Sequence, residues 1–189
     1  MHAFEFVVLL LSFVYALAIT HILATAGNII RAGKRVRFSW LNAAWMFLAL
    51  VCILAWWVGL WDMHTHNLWT MPVVWLFFMC AAAQYLLARL VCSHIPAEGA
   101  VDLVAYHAKE GWKYLSAYAA VIALTIAMDY FFSSEAPEWL TQNGAFWPML
   151  GASAAAAIFR NNRLAQAASA IAVTGLWFWF WLKLQNSLV

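Results

Sequence analysis

Six stretches of mostly apolar residues, parted by short polar connections, leave this chain few ways to fold. They run over about residues 4–30, 39–61, 70–92, 111–132, 145–159 and 164–184. A helix needs ~20 predominantly apolar residues, each rising 1.5 Å, to cross the hydrocarbon of a bilayer. Five stretches reach that length. The fifth in order is shorter, and its run of small residues from Gly151 to Ala157 predicts close packing inside a bundle. The expected fold is all-α: a polytopic membrane protein of six transmembrane helices, forming one domain over residues 1–189.

Composition supports the bilayer as solvent. Hydrophobic residues make up 67% of the chain and charged residues 10%, where soluble domains have ~45–50% and ~25%. A net charge of +2 is too small to argue for a nucleic-acid partner. The first apolar stretch lacks a basic leader and outruns the ~7–15 residues of a signal-peptide core, so it is expected to stay on the chain. Cys52, Cys80 and Cys92 all sit in apolar runs without metal-site spacing and are expected to be small core residues.

Loop charge sets an orientation. Arg31, Lys34, Arg35 and Arg37 follow helix 1, Arg89, Lys109 and Lys113 surround the helix 3–4 connection, and Arg160 and Arg163 form the helix 5–6 turn. Lys183 alone falls on the other side. The positive-inside rule makes the basic side cytoplasmic, so both termini are expected outside, N-out and C-out. An even number of spans requires the same.

Helix 1 is the most polar of the apolar stretches along its length, and it is expected to be the polar spine of the bundle. At 100° per residue, Glu5, Ser12, Ala16, Leu23 and Gly27 share one face, which reads as a packing seam broken by Leu23. Glu5 also suits the positive end of the helix dipole. His21, Thr25 and Asn28 form a second line toward the basic side. Polar groups at that depth need a partner or a wet cavity, so these three are candidate ligand-binding residues. Gln84, in mid-span of helix 3, is expected to hydrogen-bond across helices. The Ala100–His107 segment reads either as a short interfacial helix or as a plain connector.

On the outer side, Asp62, His64 and His66 offer oxygen and nitrogen ligands for a divalent metal. Glu5, Asp129, Trp57 and Trp61 are expected on that side as further ligand-binding residues, with His2, Glu135 and Glu138 nearby. Ten of the 13 tryptophans fall toward the outer side, which predicts a thick interfacial belt or an aromatic pocket. No nucleophile–base pattern or Gly-rich phosphate loop is present, so no catalytic residue is assigned and the sequence points away from an enzyme.

Phe4-Glu5 at the start of helix 1, Thr20-His21 within it, the basic turn, and Trp56-Trp57 with Leu60-Trp61-Asp62 at the end of helix 2 resemble a set of small bacterial multi-pass proteins of uncharacterised function. The likeness covers mainly residues 1–75. It implies a bacterial inner membrane and carries over no activity. The functional expectation is a protein that binds or transports a small molecule or ion. The alternative is a non-catalytic subunit or assembly factor of a larger membrane complex, with a homo-oligomer or other membrane subunits as partners besides the bilayer.

Overall fold

A computed structural model describes residues 3–65, 69–96, 98–132 and 144–187. These residues form six helices: α1 (Ala3–Ala32), α2 (Trp40–Gly59), α3 (Met71–Val91), α4 (Leu103–Phe132), α5 (Phe146–Ile158) and α6 (Arg163–Ser187). Five of them, α1 to α4 and α6, are long and apolar enough to cross a membrane. The 13 residues of α5 reach only ~20 Å at 1.5 Å per residue, against ~30 Å of hydrocarbon.

Local chemistry explains the ends. Gly33, with φ +53°, supplies the left-handed backbone that closes α1. Ser39 caps α2, its hydroxyl accepting the N–H of Asn42 at 3.3 Å, and Pro72 stands in the first turn of α3, where a missing N–H costs little. The side chain of Asn162 caps α6 by accepting from Leu164 N and Ala165 N at 3.0 and 3.2 Å.

The start of α4 departs from the sequence pattern. Hydrophobicity alone predicts a helix from Gly111, whereas the helix begins at Leu103. Asp102 sets that boundary: its Oδ1 accepts the N–H groups of Val104 and Ala105, both at 2.9 Å. A two-residue parallel ladder fixes the same point, pairing β1 (Val36–Arg37) with β2 (Val101–Asp102) in the register Val36↔Val101 and Arg37↔Asp102. The Ala100–His107 segment is therefore neither a separate interfacial helix nor a plain connector. Most of it is the first turn of a continuous α4.

Helix α2 is the hub, packing against α1, α3, α4 and α6, while α1 packs mainly on α3 and α2, and α5 is held between α4 and α6. The buried face of α1 is Val7, Leu11, Tyr15, Ala18 and Ile22. It is not the expected seam, since Glu5, Ala16 and Leu23 are exposed. The larger apolar side chains won the interior because they offer more van der Waals contact than a line of small residues broken by Leu23. The outward faces stay apolar: Phe13, Leu17 and Ile30 on α1, Leu86 on α3 and Ile171 on α6 are all exposed. Such a surface is rare in water and ordinary against lipid.

Candidate functional site

Along α4, residues at helical spacing face the interior in one line: His107, Gly111, Tyr114, Tyr118, Ile122, Thr125 and Asp129. All are buried except Asp129, which is half-buried at the far end. The line runs nearly the full length of the helix and carries an imidazole, two phenols, a hydroxyl and a carboxylate. Facing it on α2 are Asn42, Trp45, Cys52 and Trp56.

At the basic end the hydrogen bonds have a direction. Gln166 Nε2 donates to the Arg160 carbonyl at 2.7 Å, so its Oε1 is the atom turned toward His107 Nε2, at 2.5 Å. An oxygen there requires His107 Nε2 to carry the proton. His107 Nδ1 is then the acceptor for the Tyr114 hydroxyl, with which it is in contact. Asn42 lies beside that hydroxyl and donates its amide to the Val91 carbonyl at 3.0 Å. One chain of groups thereby ties α2, α4, α6 and the ends of α3 and α5 together.

Deeper in, the Trp177 indole donates to the Tyr118 hydroxyl at 2.7 Å, and Trp45 meets the Tyr118 ring edge-on at 5.3 Å. Cys52 lies next to both Tyr118 and Tyr15, and Cys80 next to Tyr15. All three cysteines are free thiols and buried. Toward the far end the Trp56 indole donates to the Thr125 hydroxyl at 2.9 Å, one turn from Asp129. That carboxylate forms no hydrogen bond or ion pair with a described residue.

Several polar atoms around this line are buried without a hydrogen-bond partner among the described residues: Tyr15 Oη, Asn42 Oδ1, Trp45 Nε1 and both amide atoms of Gln84. Gln84 lies beside the Tyr15 hydroxyl of α1, so it faces a neighbouring helix as expected, but outside hydrogen-bond geometry with any described residue. In hydrocarbon each such group costs several kcal/mol unless water or a ligand meets it.

Of the ligand-binding and metal candidates singled out from sequence, Asp129 lies at the far end of this line and the others fall elsewhere. His21, Thr25 and Asn28 do not converge. The Arg89 guanidinium donates to the His21 ring at 3.3 Å, Thr25 donates to the His21 carbonyl of its own helix at 2.9 Å, and Asn28 accepts from Arg31 at 2.7 Å. On the far side His64 is exposed, stacked on Trp61 at 5.4 Å, with Phe4 at 6.5 Å. His64 Nδ1 lies 2.6 Å from the Trp61 carbonyl, so that nitrogen carries the proton and Nε2 is left as the ligating atom. His2, His66, Glu135 and Glu138 lie outside the described residues, as does the side chain of Asp62. Among the described residues no group of three or more His, Cys, Asp or Glu is placed to hold a metal. Glu5 is exposed, as are Trp57 and Trp61. The Trp57 indole donates to Ser12 at 3.2 Å.

His107, Tyr114, Tyr118 and Gln166 were not foreseen. The one-turn spacing of Tyr114 and Tyr118 was a signal already present in a helix from Gly111, His107 joins it only because α4 begins at Leu103, and nothing in the sequence pairs Gln166 with them. Compared with known proteins, the chain matches no family model, no curated protein and no solved structure. The likeness over residues 1–75 therefore rests on those residues alone.

Proposed function

We propose that this chain is a multi-pass protein of the bacterial inner membrane, spanning it six times with both termini outside and with the bilayer thinned around the short α5, that binds or transports a small molecule or ion. The observation that carries this reading is the polar line of α4, bordered by buried polar atoms without partners. Titratable and polar side chains inside a membrane bundle are costly and mark ligand or ion pathways by default. The outer mouth would comprise Glu5, Asp129, Trp57 and Trp61, with a divalent metal held by His64, His66 and Asp62. His21, Thr25 and Asn28 would border the inner side.

The native thiol of Cys52 provides the test, because it is buried in the core near Tyr15 and Tyr118. In a Cys80→Ala, Cys92→Ala background, membrane-embedded protein is treated with a small cationic methanethiosulfonate, which does not partition into lipid. The expected result is modification of Cys52, with protection when Tyr118 is replaced by Trp. A thiol that stays inert until the protein is denatured would make the line a dry structural core and overturn the proposal.

A second reading, a non-catalytic subunit or assembly factor, draws on the lipid-facing side of α6. Ala168, Ala172 and Gly175 are exposed there at one-turn spacing, and a Cβ at Gly175 would meet nothing. Small residues in this pattern let another helix approach closely. Recovery of stoichiometric partners after gentle solubilisation would favour this reading.

A further inference from the structure

At the basic end, where α3 leaves the apolar layer and α4 enters it, the surface opens into a cleft of about 580 Å³. Its walls are Leu90 and Ser93 on one side and Val101, Asp102, Ala105, Tyr106, Lys109, Glu110 and Lys113 on the other. The cleft lies apart from the buried line of α4.

Which ligand it fits follows from which polar groups are already engaged. Asp102 uses Oδ1 on the first turn of α4 and Oδ2 on Arg37, at 3.0 Å. Glu110 is paired with Lys113 at 2.6 Å. Tyr106 donates its hydroxyl to the Leu90 carbonyl at 2.6 Å. Asp102 and the phenol are thus engaged within the protein, and Glu110 spends one oxygen on Lys113 with Lys109 nearby. The donors are less engaged: Lys109 makes no salt bridge to a described residue, Lys113 has ammonium protons beyond the one Glu110 takes, and the Ser93 hydroxyl has only a long 3.5 Å contact with the His94 carbonyl. The remaining capacity is cationic and donating, and it lies beside the apolar side chains of Leu90, Val101 and Ala105. An oxyanion attached to an apolar body meets both requirements.

We propose that this cleft binds a phosphate group, seated on Lys109, Lys113 and Ser93. The same chemistry is offered by the phosphodiester of an anionic phospholipid and by free phosphate. The position at the edge of the apolar layer and the apolar wall favour the lipid, whose glycerol and acyl chains would continue over Leu90 and Ala105. Clusters of basic residues at this level of a membrane protein attract anionic headgroups by ~1 kcal/mol per Lys or Arg.

The experiment is native mass spectrometry of the purified full-length chain, delipidated and re-exposed to mixed micelles of phosphatidylglycerol and phosphatidylcholine. Wild type is expected to retain phosphatidylglycerol selectively. Lys109→Ala is expected to weaken retention about tenfold or more, since it removes a charge-assisted hydrogen bond to the phosphate as well as the diffuse attraction of one juxtamembrane lysine. Lys34→Ala removes the same charge from the same end outside the cleft and is expected to weaken retention no more than about fivefold, the diffuse attraction that one juxtamembrane lysine supplies. Ala105→Trp fills the cleft with every charge intact, at an exposed position, and is expected to abolish selective retention while the circular-dichroism spectrum and thermal unfolding of the variant match wild type. Equal losses in Lys109→Ala and Lys34→Ala, or full retention in Ala105→Trp, would overturn the site. Competition by excess inorganic phosphate identifies the source: displacement assigns the site to free phosphate, and resistance to displacement assigns it to the lipid.

Discussion

Helices α1 and α4 are both 30 residues long, and both carry polar groups from end to end, yet they do opposite things with them. In α1, 28% of the apolar window is buried; in α4 the share is 50%. Most polar residues of α1 are turned to its own backbone, to a neighbouring arginine or outward; Ser12 accepts from Trp57 at an exposed edge, and only Tyr15 points deep into the interior, where its hydroxyl has no partner among the described residues. Those of α4 point into the bundle and bond across it. The difference teaches that polarity in a membrane helix says little until the face is known. A histidine on the rim, such as His21, is held by one neighbour. A histidine on the line, such as His107, is held by two and holds other helices through them.

That contrast is open to a direct break. Replacing His107 by Leu leaves the Tyr114 hydroxyl and the Gln166 carboxamide buried without their partner. Each orphaned group costs ~1–3 kcal/mol, so the loss should be roughly 2–6 kcal/mol. The matched change His21→Leu removes one half-exposed contact with Arg89 and should cost less than about 1 kcal/mol. Thermal unfolding in a mild detergent measures both. Equal shifts would erase the distinction between rim and line.

A smaller effect sharpens it. Tyr118→Phe removes the acceptor of the buried Trp177 indole and should destabilise by ~1–3 kcal/mol. Ser12→Ala removes the acceptor of the exposed Trp57 indole, which has other surroundings to bond with, and should stay within ~0.5 kcal/mol. Tryptophan fluorescence adds an independent readout, since the environment of Trp177 changes in the first variant and that of Trp57 in the second.

Much of the architecture was legible in the sequence, because runs of apolar residues long enough to cross hydrocarbon have few alternative folds. The ends of α2 and α3 followed from length and Pro72. The burial of the three cysteines followed from their apolar settings. The candidate site was far less legible, for a physical reason. The polar density of α1 is a property of composition, whereas the line on α4 is a property of spacing and of which face turns inward, and where the helix starts decides whether His107 belongs to it. With the start placed at Gly111, His107 belongs to a loop and Tyr114 and Tyr118 read as ordinary aromatic core. Gln166, near the start of α6, gives no sign of its partner on another helix. His66 and the side chain of Asp62, on which the metal reading of the outer loop depends, lie outside the described residues.

The start of α4 therefore decides whether His107 is carried by the helix, and pH gives access to it. The N–H of Ala105, then the Arg37 guanidinium and the N–H of Val104, hold the Asp102 carboxyl below the usual carboxylate range. A group whose folded pKa is depressed contributes stability that is fully present above its unfolded value, ~3.9 for Asp, and is lost as pH falls through the folded value. Acidification below about pH 4 should thus loosen the β1–β2 clasp and fray the first turn of α4. The expected signature is faster amide hydrogen exchange at Val36, Arg37 and Val101–Tyr106, relative to the intrinsic rate at each pH, with α1 unchanged. Asp102→Asn keeps a capping oxygen but loses the ion pair and the titration, so its protection at these amides should be lower at neutral pH and flat through the acid range. If wild-type protection is equally flat, the carboxylate does not hold the turn in place. The helix would then be anchored from Gly111 onward, as hydrophobicity alone predicts, and His107 would be fixed by Tyr114 and Gln166 rather than by the helix that carries it.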